Sequence, residues 1–142
     1  MESKKVETGY VVRLTRGEEF LETLQKFCTE KGIISGWFTG MGSTDHVKLA
    51  YYDIERREYI VKEFPGPLEI VNLTGNVAQK EGATVLHVHG TFSGTDYQAV
   101  AGHIDHLKVG ATLEIYLQTF TTSLARKKDE ATGLNLLDFT NT

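Results

Sequence analysis

A chain of 142 residues, 40% hydrophobic and 24% charged, is sized and composed for a single domain over residues 1–142 that buries its own core without disulfide staples. Its formal charge of -4 argues against a broadly basic nucleic-acid surface, and the lone cysteine, Cys28, excludes an intrachain disulfide. No apolar run is long enough for a membrane helix, and the opening Met1-Glu2-Ser3-Lys4-Lys5 lacks the apolar segment of a secretory signal, so the expected location is the cytoplasm.

In chain order, residues 9–14 read as a first strand and residues 15–32 as a helix. Thr15-Arg16-Gly17-Glu18 fits a capping box, in which the Thr15 hydroxyl and the Glu18 carboxylate each take a backbone donor of the other. Phe20, Leu21, Leu24, Phe27 and Cys28 recur at helical spacing and form one buried stripe, which makes Cys28 core filler. Gly32 supplies the left-handed residue that ends the helix.

From Ile33 the pattern changes to short β-rich runs at residues 34–39, 47–53, 59–64, 68–77, 84–92 and 112–121. In the last, Leu113, Ile115 and Leu117 alternate with Glu114, Tyr116 and Gln118, giving one core face and one that is wet or an interface. Gly40-Met41-Gly42-Ser43 and Gly94-Thr95-Asp96 lack the spacing or the lysine of a nucleotide-binding loop and read as turns. The basic clusters Arg56-Arg57 and Arg126-Lys127-Lys128 are each followed by acidic residues and read as solvated loops. The end of the chain is polar at first, but Leu134, Leu136, Leu137 and Phe139 predict that it docks back. One helix leading into many strands predicts an α+β fold, a largely antiparallel sheet with a capped N-terminal helix.

The chemistry concentrates in Val85-Leu86-His87-Val88-His89 and Ala101-Gly102-His103. Successive strand side chains point to opposite faces, so His87 and His89 share one face while Leu86 and Val88 share the other. The turn-rich stretch between His89 and His103 is suited to folding the chain back beside that strand. Three imidazoles with an open position match catalytic zinc, since structural zinc takes four protein ligands and often cysteines. Other readings stay open at this point: the pair as solvated polar residues, or the cluster as a cationic anion site below about pH 6.5. His106, three residues beyond His103, is an alternative third ligand if that segment is helical. His46 reads as a surface residue.

Taken in order, Gly40-Met41-Gly42-Ser43, Leu49-Ala50-Tyr51-Tyr52-Asp53, Glu69-Ile70-Val71-Asn72-Leu73-Thr74-Gly75-Asn76, His87-Val88-His89, Gly102-His103-Ile104 and Leu113-Glu114-Ile115 resemble the series found in the plants and prokaryotes conserved (PPC) domain. The resemblance spans roughly residues 9–139. It implies a homotrimeric α+β domain and assigns His87, His89 and His103 to the family's histidine cluster, which selects His103 over His106. The fold is also similar, by analogy, to acetolactate decarboxylase and to a mammalian ester hydrolase with comparable metal-holding histidines. Plant relatives carry an AT-hook with an Arg-Gly-Arg-Pro core ahead of the domain, which grips A·T-rich minor groove. That core is lacking here, and so is the plant Gly-Arg-Phe motif, whose place is taken by Gly66-Pro67-Leu68.

Two functional expectations follow. The first is a trimeric protein with a divalent metal, zinc, on His87, His89 and His103, acting as a hydrolase or lyase on a small carbonyl or ester compound. Glu69 or Glu114 would then be the general acid-base group if either projects into the site. The second is a regulatory or DNA-associated interaction module without an AT-hook. Tyr116 and the Tyr51-Tyr52 pair are the expected interfacial aromatics of the trimer.

Overall fold

Long runs that alternate buried and exposed residues make strands that bend as they go, and the chain closes them around one apolar interior. The computed structural model describes residues 1–140. In order these are β1 (Glu2–Val6), β2 (Gly9–Thr15), α1 (Phe20–Glu30), β3 (Gly36–Asp53), β4 (Glu58–Lys80), β5 (Ala83–Ser93), β6 (Ala99–Thr119), β7 (Ala125–Lys128) and β8 (Asn135–Asp138). The strands form one sheet in the order β1-β2-β6-β3-β4-β7-β8, with β5 pairing both β4 and β6. The pairings β3·β4, β4·β5, β5·β6 and β6·β3 therefore close a ring. Every pairing is antiparallel except the Gln79↔Ala125 contact of β4 with β7. The α+β expectation holds in outline, but strands dominate and the single helix among the described residues is short.

The core is made by the inward faces of these strands and by α1. Leu113, Ile115 and Leu117 are buried as their alternation predicts, beside Phe38, Leu73, Val88 and Phe92. Phe20, Leu24, Phe27 and Cys28 supply the helix stripe. The Phe20 and Phe38 rings meet edge-on at 6.2 Å and those of Tyr10 and Phe27 at 5.2 Å. Burial in this apolar stripe pushes the Cys28 thiol up to about 12, so it is an inert filler.

Four expectations are corrected. The helix starts at Phe20, not at residue 15. Thr15 ends β2, Gly17 sits in a turn at φ 87°, and Glu18 Oε2 accepts from the Thr15 backbone N–H and hydroxyl within that turn. The N-cap is Glu19, whose carboxylate accepts from the Glu22 N–H at 2.7 Å. The short strands at 34–39 and 47–53 are one strand, as are those at 59–64 and 68–77. Irregular pairing at Gly40/Gly42, Thr44/His46 and Ile70/Asn72 bends each strand without ending it. Gly40-Met41-Gly42-Ser43 is therefore inside β3, where a Cβ on Gly40 would stand 2.7 Å from the Glu114 carbonyl oxygen of β6. The glycine serves close strand approach, not a turn. The predicted strand at 112–121 is the second half of β6, which begins at Ala99. β1, too polar to be read as a strand, pairs along the exposed edge of β2.

The C-terminal end of the helix behaves as read. Gly32 at φ 65° donates to the Thr29 carbonyl and Ile33 donates to the Cys28 carbonyl, the paired bonds that close a helix end through a left-handed residue. Glu19 also ties the helix to the sheet, because its Oε1 accepts from the Leu107 N–H. Glu19→Ala is expected to cost about 1–2 kcal/mol in urea unfolding, and Glu19→Asn, which keeps a cap acceptor, less.

Candidate metal centre

The hairpin between β5 and β6 sets the site. β5 runs out to Ser93, the chain turns through residues 94–98, and β6 returns so that His89 stands opposite His103. The pleat puts His87 two positions along on the same face, and the strand on the other side of β5 contributes Thr74 opposite His89 and Asn76 opposite His87. The three ring centroids are 5.1–5.3 Å apart. Each ring offers a nitrogen within 4.8 Å of the other two. His87 Nε2 and His89 Nε2 are 3.3 Å apart. Two imidazole nitrogens on one tetrahedral ion at about 2.0–2.1 Å stand roughly 3.3–3.4 Å apart, so this separation fits a shared zinc-sized ion.

His106 is not part of the cluster. Pairing of β6 with β3 shifts between Lys48 and Leu49, so His103 lies opposite Ala50 while His106 lies opposite Lys48. There its Nδ1 is 3.3 Å from Glu19 Oε1, and its ring is 5.7 Å from that of His46. His46, half-buried rather than a free surface residue, meets Glu63 at 3.4 Å. Glu69 is exposed on β4 between Ser43 and Ser93, and Glu114 is exposed on β6 between Met41 and Arg13. Neither lines the cleft that holds the histidines.

That cleft, about 380 Å³, has His87 and His103 on its floor and the C-terminal β7–β8 hairpin as its wall. The Tyr59 ring packs over that of His103 at 5.5 Å and, tilted by 57°, against that of Tyr52 at 4.9 Å, which braces the His103 ring. The Tyr52 hydroxyl donates to the Thr132 carbonyl at 2.7 Å, anchoring the loop before β8. Tyr52 is thus a wall of the site, whereas Tyr51 and Tyr116 remain exposed. Arg126, read from sequence as part of a solvated loop, reaches in from β7 and donates to Asn76 Oδ1 at 2.8 Å and to the Asn135 carbonyl at 2.7 Å. Arg57 likewise lines the cleft. The docking of the C-terminal leucines is partial: Leu134 and Leu136 border the cleft, while Phe139 stays exposed. Tyr59, Asn76 and Arg126 were missed because their strands are far apart in sequence. Asn76, a strand-averse residue inside a long apolar strand, was the one available signal.

Burial, then the nearby Arg126 charge and the neighbouring imidazoles, hold the His87 pKa down to about 4. Burial also lowers His103, with His89 adding to the effect and Asp105 opposing it. Both rings therefore stay neutral at pH 7, which is the form that ligates metal rather than the cationic form that gathers anions. The metal-free protein should therefore lose stability in acid. The unfolded chain takes up a proton near 6.5 and the native His87 only near 4, so stability is full above 6.5 and falls as pH drops from 6.5 to 4. With allowance for solvent at a partly open ring, urea midpoints should report a loss of about 2 kcal/mol from His87 across that window, and His87→Asn should remove that part and leave only what His103 contributes.

No curated protein sequence matches the chain significantly. Among solved structures, a protein from Bacteroides thetaiotaomicron provisionally described as DNA-binding superposes with a TM-score of 0.94 at 32% identity, covering 97% of this chain and 96% of its own. A metal-containing protein from Archaeoglobus fulgidus superposes at 0.84 with 32% identity, covering 96% of this chain and 99% of its own. The α-acetolactate decarboxylase of Bacillus subtilis shares the fold alone, with a TM-score of 0.58 and 11% identity over 86% of this chain and 57% of its own. Among the described residues no helix is long and apolar enough to cross a membrane. A family model described as the Plants and Prokaryotes Conserved (PCC) domain matches residues 1–121, and the chain belongs to that family.

Proposed function

We propose that His87, His89 and His103 hold one divalent metal ion, zinc, and that the protein is a metal-dependent hydrolase or lyase for a small carbonyl or ester compound. The observation that carries this reading is the convergence of three imidazoles, with ligand atoms within 4.8 Å of one another, at the edge of an open cleft whose floor carries His87 and His103. The Archaeoglobus relative, described as metal-containing, supports it. A zinc ion bound there supplies Lewis acidity and brings the pKa of a bound water near neutrality. The protein's own part is positional. Tyr59 stacks on His103, Asn76 sits beside His87 and orients Arg126, and the β7–β8 hairpin shields one side of the site from bulk water. Glu69 and Glu114 lie outside the cleft, so neither carboxylate would serve there as a general acid-base group. The test is equilibrium dialysis of the metal-free protein against zinc followed by metal analysis. One equivalent per chain supports the site, and no uptake overturns it.

The reading includes assembly as a homotrimer and, since the only thiol is free and buried, a reducing cytoplasmic setting. Trp37, Met41 and Tyr116 are exposed large residues on adjacent strands β3 and β6, where Thr39 stands opposite Tyr116. Such a patch is what a subunit interface covers. Sedimentation equilibrium should return three times the chain mass, and Tyr116→Lys with Met41→Lys should shift it toward one.

A second reading, a DNA-associated module, is favoured by the description of the Bacteroides relative. It predicts duplex binding that weakens steeply as salt rises. Absence of binding at low salt removes it.

A further inference from the structure

The cleft beside the triad carries a charge pattern that the metal reading does not use. Arg57, Lys80 and Arg126 all line it, and not one aspartate or glutamate does, in a chain whose acidic residues outnumber its basic ones 19 to 15. None of these three cations is in an ion pair among the described residues, whereas Arg13, Arg16, Lys26, Lys48, Arg56 and Lys128 each are. Their hydrogen-bond partners are neutral: the Asn76 amide oxygen and the Asn135 carbonyl for Arg126, and the Ala131 carbonyl for Arg57.

Arg126 is the central member. Its two terminal nitrogens are turned by Asn76 and Asn135, which fixes the guanidinium plane, and its Nε is shut off from water with no partner. A cation placed in a half-buried cleft beside a metal-binding cluster, without a carboxylate to offset it, destabilises the empty protein. An arriving anion relieves that cost, and a planar fork selects a planar, two-oxygen anion. The walls refine the choice. Val85, Leu86, Leu134 and Leu136 border the same space, and a volume of about 380 Å³ is near the small end of ligand pockets. Apolar walls suit a short carbon chain and offer nothing to a bare inorganic phosphate.

We propose that the cleft binds a short-chain organic carboxylate, its carboxylate group held by Arg126, Arg57 and Lys80 and the rest of the molecule directed at the histidine floor. This deepens the reading of the site and rests on it for the chemistry, though not for the binding: the substrate class becomes a small carboxylate bearing the carbonyl or ester group near its charged end.

The test is calorimetric titration of the full chain with butyrate and with butyramide, its uncharged analogue of similar shape, in both metal-free and zinc-loaded protein. Butyrate is expected to bind at least about ten-fold more tightly than butyramide in both forms. Arg57→Gln, on an exposed side chain whose loss leaves the fold intact by circular dichroism, should weaken butyrate at least about five-fold and leave butyramide unchanged. Arg126→Lys keeps the charge but not the fork, and should weaken butyrate in the same selective way. Equal affinity for the two probes, or butyrate binding unmoved by both variants, overturns the proposal even if zinc loads at one equivalent. Failure to load zinc with the carboxylate preference intact supports the proposal while removing the metal.

Discussion

Replacing His87, His89 and His103 together with alanine is expected to take zinc content from one equivalent per chain to below about a tenth, as read by metal analysis after gel filtration of zinc-loaded protein. The three rings are the whole of the close ligand set among the described residues, so nothing nearby takes over. Single replacements should each lower affinity by at least about 100-fold, more than loss of a supporting partner alone does. Folding should report the same change. An ion at about a thousand times its Kd adds roughly 4 kcal/mol to the stability of the native state, and the triple variant should gain nothing from added zinc. His46→Ala and His106→Ala provide the contrast, since these rings sit beside Glu63 and Glu19 instead. Zinc retained at one equivalent by the triple variant would move the metal elsewhere.

Phe38→Ala should be the most costly single change in the core, at about 3–5 kcal/mol in denaturant unfolding. Phe38 is fully buried and packs edge-on against Phe20, so truncation removes one of the contacts that join helix to sheet and leaves a cavity. Against a typical domain stability of about 5–15 kcal/mol this is a large fraction. The effect should reach the site. The Phe38 ring fills the space that a side chain at Gly75 would need, and Gly75 stands opposite Val88, between His87 and His89. Once that support is lost, β4 and β5 are free to shift against one another, and zinc affinity should fall with stability. Phe38→Leu, which fills most of the space, should cost markedly less on both measurements. Equal losses for leucine and alanine would argue that the ring's packing is not what matters.

The link between Gly75 and the histidines also explains which parts of the site were legible. His87 and His89 could be paired from the chain alone because they are two residues apart in a strand, and the pleat then leaves no choice of face. The helix stripe and the closing bonds at Gly32 were readable for the same reason, each being decided within a few residues. Helix onset differs from the expectation because Thr15-Arg16-Gly17-Glu18 satisfies the pattern of a cap while the Thr15 backbone is committed to β2, a tertiary demand that outweighs a local one. Glycine in Gly40-Met41-Gly42-Ser43 has two uses, turning the chain and letting strands approach, and only the partner strand distinguishes them.

Short-range geometry makes four features readable from the chain: the His87–His89 pair, a hairpin able to return His103, the buried helix stripe, and an inert Cys28. The order of its motifs carried the family resemblance, and with it the choice of His103. Register and packing set the rest: β6 stays extended beyond His103 and carries His106 along to Lys48 and Glu19, Glu69 and Glu114 lie outside the cleft, and Tyr59, Arg57 and Arg126 converge on it with Asn76 holding Arg126. The reason is physical. Pleat and helical pitch are fixed by neighbouring residues, whereas register, strand bending and the docking of a distant hairpin are set by which apolar faces are buried together, and that is a property of the whole chain.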